Sequence, residues 1–167
     1  MTTPAQPITN IYREGVMAPV AEEVTAFDLP VTGSLPTELN GRWLRNGPNP
    51  IGETVNPLRD HWFLGDGMVH GVRITDGKAE WYRNRWVRTK LLAGEPRMNP
   101  ETFEFDLAAG RANTHVLRHA GRIMALEELS FPNEISPELE TIGPMDFGGR
   151  LDTPFTAHPH VCAETGE

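Results

Sequence analysis

The sequence has a single cysteine, Cys162, so no disulfide can close within its 167 residues. That scarcity argues against a small secreted scaffold held by disulfides and agrees with a reducing, cytoplasmic setting. Long apolar runs are also missing. None approaches the roughly 18 residues of a membrane-spanning helix, and Met1 to Gly15 lacks the basic-then-apolar order of a secretory signal. The expected protein is soluble. Positive charge is in deficit and scattered, with 15 Lys and Arg against 23 Asp and Glu and a formal net charge of -8. With no basic stripe to neutralise phosphates, no nucleic acid partner is expected. Room for helices is scarce, because 15 prolines and 16 glycines interrupt nearly every window long enough for an amphipathic helix. Apolar residues make up 38%, lean for a compact domain, so the core is expected to be modest.

What remains is strands and turns, which predicts an all-β fold. Residues 1–38, with Pro4, Pro7, Pro19, Pro30 and Pro36, read as an irregular N-terminal arm. Residues 39–167 read as the folded domain. Gly41 to Arg45 predicts a short strand closed by a turn over Asn46-Gly-Pro-Asn-Pro50. Met68 to Ile74 alternates at period two, Thr75-Asp-Gly-Lys78 carries the Asp-Gly hairpin pattern, and Ala79 to Arg88 returns with Trp81 and Tyr82 on opposite faces. A second hairpin is predicted from Asn113–Leu117, a turn at His119–Arg122 and Ile123–Leu126. A third is predicted to start at Thr156–Val161 and to turn at Glu164–Gly166. The hairpin glycines Gly77, Gly121 and Gly166 are separated by 121 − 77 = 44 and 166 − 121 = 45 residues. Strand-turn-strand units at this period are a propeller pattern, so about two and a half blades are expected. Such a piece cannot close a ring, and the expectation is that it folds poorly alone.

Six histidines occur, at 61, 70, 115, 119, 158 and 160. A lone histidine is more often hydrogen-bonded or on the surface than a ligand, and His61, His70, His115 and His119 carry no stronger reading. His158-Pro-His160 differs, because an His-x-His pair projects to one side of an extended segment and imidazole suits iron, copper, nickel and zinc. A metal site and a plain turn or strand end both remain open there. Glu127-Glu128 closes an otherwise apolar strand. It is either a solvated strand end or a source of a carboxylate that orients a ligating imidazole. Gly65-Asp-Gly67 lacks the spacing of a phosphate or calcium loop, no nucleophile signature surrounds Cys162, and Trp81, Tyr82 and Trp86 read as packing.

Five blocks in order resemble the N-terminal motifs of the carotenoid cleavage oxygenases: Leu39–Pro50, His61–His70, Ala112–Thr114, Gly121–Glu128 and Thr156–His160. The resemblance covers the chain from residue 39 onward. It implies a seven-bladed propeller around an axial ferrous iron, Fe(2+), held by four histidines. The first lies in the Ala-His-Pro motif, which implies that His158, rather than His160, is a metal ligand. The glutamate after the Ala-Leu strand carries over to Glu128, with Glu127 at the preceding, variable position. Stilbene-cleaving relatives tend to have lysine there, so Glu127 points toward carotenoid or apocarotenoid substrates. The implied reaction cleaves a conjugated C=C bond of an apolar polyene with O2 into two carbonyl products.

Two departures stand out. Cys162-Ala163 replaces the family's usual Asp-Pro before Glu-Thr-Gly-Glu, and the chain holds one implied ligand of four, so on its own it is expected neither to retain iron nor to turn over. A noncatalytic remnant or binding module, a stilbene-cleaving relative and a small histidine-rich metal protein are the competing readings. Peripheral membrane contact and oligomeric state stay open.

Overall fold

The computed structural model describes residues 10–52, 56 and 61–167. Pro4 and Pro7 of the arm lie outside the described residues. Among the described residues, eight strands form two antiparallel four-stranded sheets. The first contains β1 (Thr25–Phe27), β2 (Gly41–Asn49), β3 (Asp66–Thr75) and β4 (Lys78–Trp86), in the order β1-β4-β3-β2. The second contains β5 (His115–His119), β6 (Arg122–Leu126), β7 (Asn133–Ile135) and β8 (Thr141–Pro144), paired in sequence order. Among the described residues the only helices are single 3-10 turns, and none is long and apolar enough to cross a membrane.

Both complete hairpins turn where the sequence places them. Asp76 and Gly77 (φ 48° and 74°), then Ala120 and Gly121 (φ 47° and 79°), put two consecutive residues in the left-handed region, the backbone of a type I′ turn. That turn matches the right-handed twist of the strands it joins. Trp81 is buried between the sheets, whereas Tyr82 faces the other way and holds its hydroxyl 2.8 Å from Nδ1 of His70.

The structure corrects two expectations and fills in a third. The turn predicted over Asn46–Pro50 is instead mostly strand, because β2 runs on to Asn49 and pairs Pro48 with Gly67. Gly67 gives its N–H to the Arg111 carbonyl and accepts the Val87 N–H on its own carbonyl, so this pair asks no N–H of proline. β2 is also an edge strand, where proline is tolerated. Second, within the described residues the N-terminal arm holds short structure that docks on the first sheet. Its Thr25–Phe27 adds to β4 as an edge strand, and Asn84 ties the arm by accepting from Val24 N–H and donating to the Glu22 carbonyl. Third, Thr156–Val161 is not a strand and Glu164–Gly166 does not close a hairpin. The His158 N–H goes to Thr156 Oγ1 (3.1 Å), and the Gly166 N–H goes to the Cys162 carbonyl (2.9 Å), so local turns use the groups a ladder needs. Gly166 is therefore not a third hairpin glycine, and the expected half blade is absent from the described residues.

The core lies between the sheets. Val69, Trp81 and Val87 from one side meet Ile123, Ala125 and Ile135 from the other, with Ala112 and Leu139 closing the gap. A second cluster, Met124, Leu126, Met145 and Ala157, packs the segment after β8 onto the far face of the second sheet. Fully burying a side chain such as Val or Leu contributes on the order of 1.5–3 kcal/mol. Buried Ala157 thus anchors the backbone one residue before His158.

Candidate functional site

β6 alternates through the core and ends at Leu126, so the next two residues leave the sheet in different directions. Glu127 is 6% exposed and lies inward. Its Oε1 pairs with Arg97 Nη2, and its Oε2 accepts the Arg111 N–H at 3.0 Å. Arg111 reaches on with Nη1 to Asp66 Oδ1 of β3, 3.1 Å away. A charged chain, Asp66–Arg111–Glu127–Arg97, therefore runs from the first sheet across the start of the second to the connection before it. Burial pushes the Asp66 carboxyl up, and the Arg111 charge and hydrogen bond pulling the other way do not offset it.

Glu128 points outward, and its Oε1 lies 3.4 Å from His158 Nε2. The two side chains are 52% and 69% exposed. The structure thus brings together the two residues that the resemblance singles out, 30 residues apart in sequence. His158 is positioned from behind by buried Ala157 and by the hydrogen bond from its own N–H to Thr156. His115 at the start of β5 stands beside it, with ring centroids 6.1 Å apart. His160 is exposed and makes no hydrogen bond or ion pair among the described residues.

An imidazole with a carboxylate in contact can offer a metal one nitrogen and hold that ring in a fixed orientation. Among the described residues no group of three or more His, Cys, Asp or Glu converges closely enough to hold a metal ion. The donor set fits one ligand position, not a closed site. His158 and Glu128 open onto a cavity of about 480 Å³ whose wall includes Phe63, Leu64, Leu129, Arg97 and Glu127.

The reading of Glu127-Glu128 as a solvated strand end fails for Glu127, because two arginine-bearing segments cover it. Neither Arg97 nor Arg111 is legible in the sequence. A buried acid needs a cation, but no spacing tells which of the 15 basic residues supplies it. His115 shows no local pattern either. Away from this cavity, His70 is pushed below its usual range, chiefly by burial and then by Arg45.

A model of the family described as Retinal pigment epithelial membrane protein matches residues 17–167. A carotenoid cleavage oxygenase of Mycobacterium tuberculosis is 53% identical over 99% of this chain and 34% of its own length. Carotenoid 9,10(9',10')-cleavage dioxygenase 1 of Arabidopsis thaliana is 37% identical over 93% of this chain and 34% of its own. Among solved structures, Pseudomonas brassicacearum lignostilbene dioxygenase superposes with a TM-score of 0.79 and 32% identity, over 98% of this chain and 36% of that one. Cobalt-substituted Synechocystis apocarotenoid oxygenase superposes at 0.69 with 31% identity, over 89% and 35%. The chain spans about a third of the length of these relatives. By the family model that matches residues 17–167 and by its curated relatives, the chain belongs to the Retinal pigment epithelial membrane protein family, that of the carotenoid cleavage oxygenases.

Proposed function

We propose that these residues form the N-terminal part of a non-heme iron(II) dioxygenase that cleaves a conjugated C=C bond of a carotenoid or apocarotenoid. The two sheets are then the first two blades of a seven-bladed propeller. The reading rests most on one observation, the contact of His158 Nε2 with Glu128 Oε1 at 3.4 Å beside a cavity walled by Phe63, Leu64 and Leu129. His158 would supply one of four imidazoles, and the Glu128 carboxylate, 3.4 Å from the Nε2 of that ring, would hold its orientation. Ferrous iron bound there supplies the redox chemistry that lets O2 react with a closed-shell polyene. The balance is one C=C bond and one O2 consumed and two C=O groups formed. The apolar side chains seat the polyene and exclude water from the reacting bond.

A second reading, cleavage of a stilbene, draws on the likeness to lignostilbene dioxygenase. Position 127 speaks for the polyene. A lysine there would set its ammonium against Arg97 and the Arg111 segment, where Glu127 now accepts from both.

The protein expressed from its complete reading frame tests the proposal. It is expected to purify with one iron per chain and to consume one O2 per carotenoid cleaved. Glu128→Gln should lower iron affinity about 10- to 100-fold, and His158→Ala should abolish retention, both read by metal analysis. The 167-residue chain alone should retain no iron after dialysis. Unchanged iron content in His158→Ala, or stilbene cleavage without carotenoid cleavage, would overturn it.

A further inference from the structure

The cavity beside His158 has two kinds of wall. Phe63, Leu64 and Leu129 give it apolar surface, whereas Arg97, Arg111 and Glu127 give it a charged strip. The hydrogen-bonding capacity of that strip is already spent on one side only. Both Glu127 oxygens are engaged, one by Arg97 and one by the Arg111 N–H, and the Arg111 guanidinium is turned to Asp66. Arg97 is different. A guanidinium carries five N–H donors in a rigid fork, and among the described residues its only side-chain partner is Glu127, through Nη2. The side chain keeps 23% of its surface exposed. Glu128 and His158 line the other part of the same cavity, and what this strip still offers a ligand is donor capacity on Arg97, fixed in direction by a buried carboxylate.

A hydrocarbon end group pressed against that fork would strip water from charged donors and return no acceptor. An end group bearing oxygen would replace the lost water. We propose that Arg97 is a specificity-determining residue that selects polyenes whose end group carries a hydrogen-bond acceptor, a ring hydroxyl or an aldehyde, over plain hydrocarbon ends. The inference rests on the polyene-cleavage reading and adds which polyenes. Glu127 acts through Arg97, as a positioning residue that aims the fork. A site built around a donor rejects the analogue lacking the acceptor, because the buried group is then left unpaired.

The test uses the iron-loaded, full-length protein and three probes in detergent micelles: β-carotene, zeaxanthin, which adds a hydroxyl to each end ring, and a β-apocarotenal. Binding is read without turnover, from quenching of tryptophan fluorescence by the polyene, and cleavage is followed in parallel. The wild-type protein should bind one or both oxygenated probes at least about 10-fold more tightly than β-carotene. The hydroxyl and aldehyde arms show which acceptor is read. Arg97→Gln with Glu127→Gln, which removes both charges together, should erase the preference, so that the ratio of oxygenated-probe to β-carotene affinity falls to within about two-fold of one. Should that pair not fold, Arg97→Lys keeps the charge opposite Glu127, loses the fork, and should reduce the preference several-fold. Equal affinity of the wild type for all three probes overturns the inference. So does a variant that weakens all three by one factor or keeps the preference. In those cases cleavage persists and the dioxygenase reading stands, whereas failure of the iron-loaded protein to cleave any polyene removes both.

Discussion

Two adjacent glutamates with opposite fates show what a residue inherits from its surroundings. Glu127 and Glu128 are equivalent in composition, and strand alternation says only that neighbours leave a sheet on opposite sides. Which of them is buried is decided by Arg97 and Arg111, 30 and 16 residues away. The sequence pattern was enough to single out Glu128 and His158 through the ordered family blocks, but the partners of Glu127 leave no local trace. Glycine matters most where backbone meets backbone. A Cβ on Gly67 would stand 2.2 Å from the Ala112 carbonyl oxygen, and one on Gly110 would stand 2.0 Å from Ser130 Oγ and 2.7 Å from Glu127 Oε1. Gly67→Ala has to move main chain, so in the full-length protein it is expected to cost roughly 3 kcal/mol or more in urea unfolding. Gly110→Ala meets buried Ser130, whose Cβ would stand 2.4 Å away and moves only with its backbone, so a loss of similar size is expected, and a loss much smaller than that of Gly67→Ala would count against this account.

At the scale of elements, hairpins whose turns are made by neighbouring residues were readable, and segments whose pairing depends on distant chain were not. The Asp76-Gly77 and Ala120-Gly121 turns both need two positive φ values in succession, and short-range chemistry supplies them. β2 was cut short in the sequence reading because Pro48 looks like a terminator. Its pairing with Gly67 is harmless only because Gly67 bonds elsewhere, which no local rule contains. The segment carrying His158 reads in sequence as the first strand of a third hairpin turning at Glu164–Gly166, yet the His158 N–H closes a local turn on Thr156. The two hairpin glycines separate conformational from steric cost. A Cβ on Gly121 meets nothing within 4 Å, whereas one on Gly77 meets the Leu35 carbonyl oxygen at 3.1 Å. Gly121→Ala is expected to lose about 1 kcal/mol from left-handed backbone alone, and Gly77→Ala measurably more. Equal losses in denaturant titrations would mean that Leu35 yields freely.

At the largest scale, the described residues form two sheets joined by an apolar seam with ion pairs at its rim. Glu138, between β7 and β8, reaches Arg42 of β2 and Arg83 of β4, while Arg83 also lies over the Trp81 ring with its guanidinium carbon 4.6 Å from the centroid. Burial, the largest influence, pushes the Glu138 carboxyl up, but the hydrogen bonds and charges of the two arginines together hold it below its ordinary 4.5. A carboxyl lowered in the folded state stabilises above its unfolded value and loses that contribution as pH falls through the folded one. Glu138→Gln should therefore be less stable than wild type at pH 7, with the gap closing below about pH 4. Because Glu138 is half-exposed, the gap should stay under about 1 kcal/mol and shrink further in high salt. A gap that persists at pH 3 would mean that shape, not charge, joins the sheets here. The spacing of Gly77 and Gly121 announced the two sheets, but the seam between them depends on side chains from four strands and was not legible.

The charged chain from Asp66 through Arg111 and Glu127 to Arg97 has a consequence for descent. Because these charges answer one another, the positions cannot drift independently, and a lineage that exchanged Glu127 for lysine would leave the Arg97 guanidinium and the Arg111 N–H without their acceptor. Neutral or compensating change at Arg97 has to come first, so exchange of these charges is reached by ordered steps and is hard to reverse.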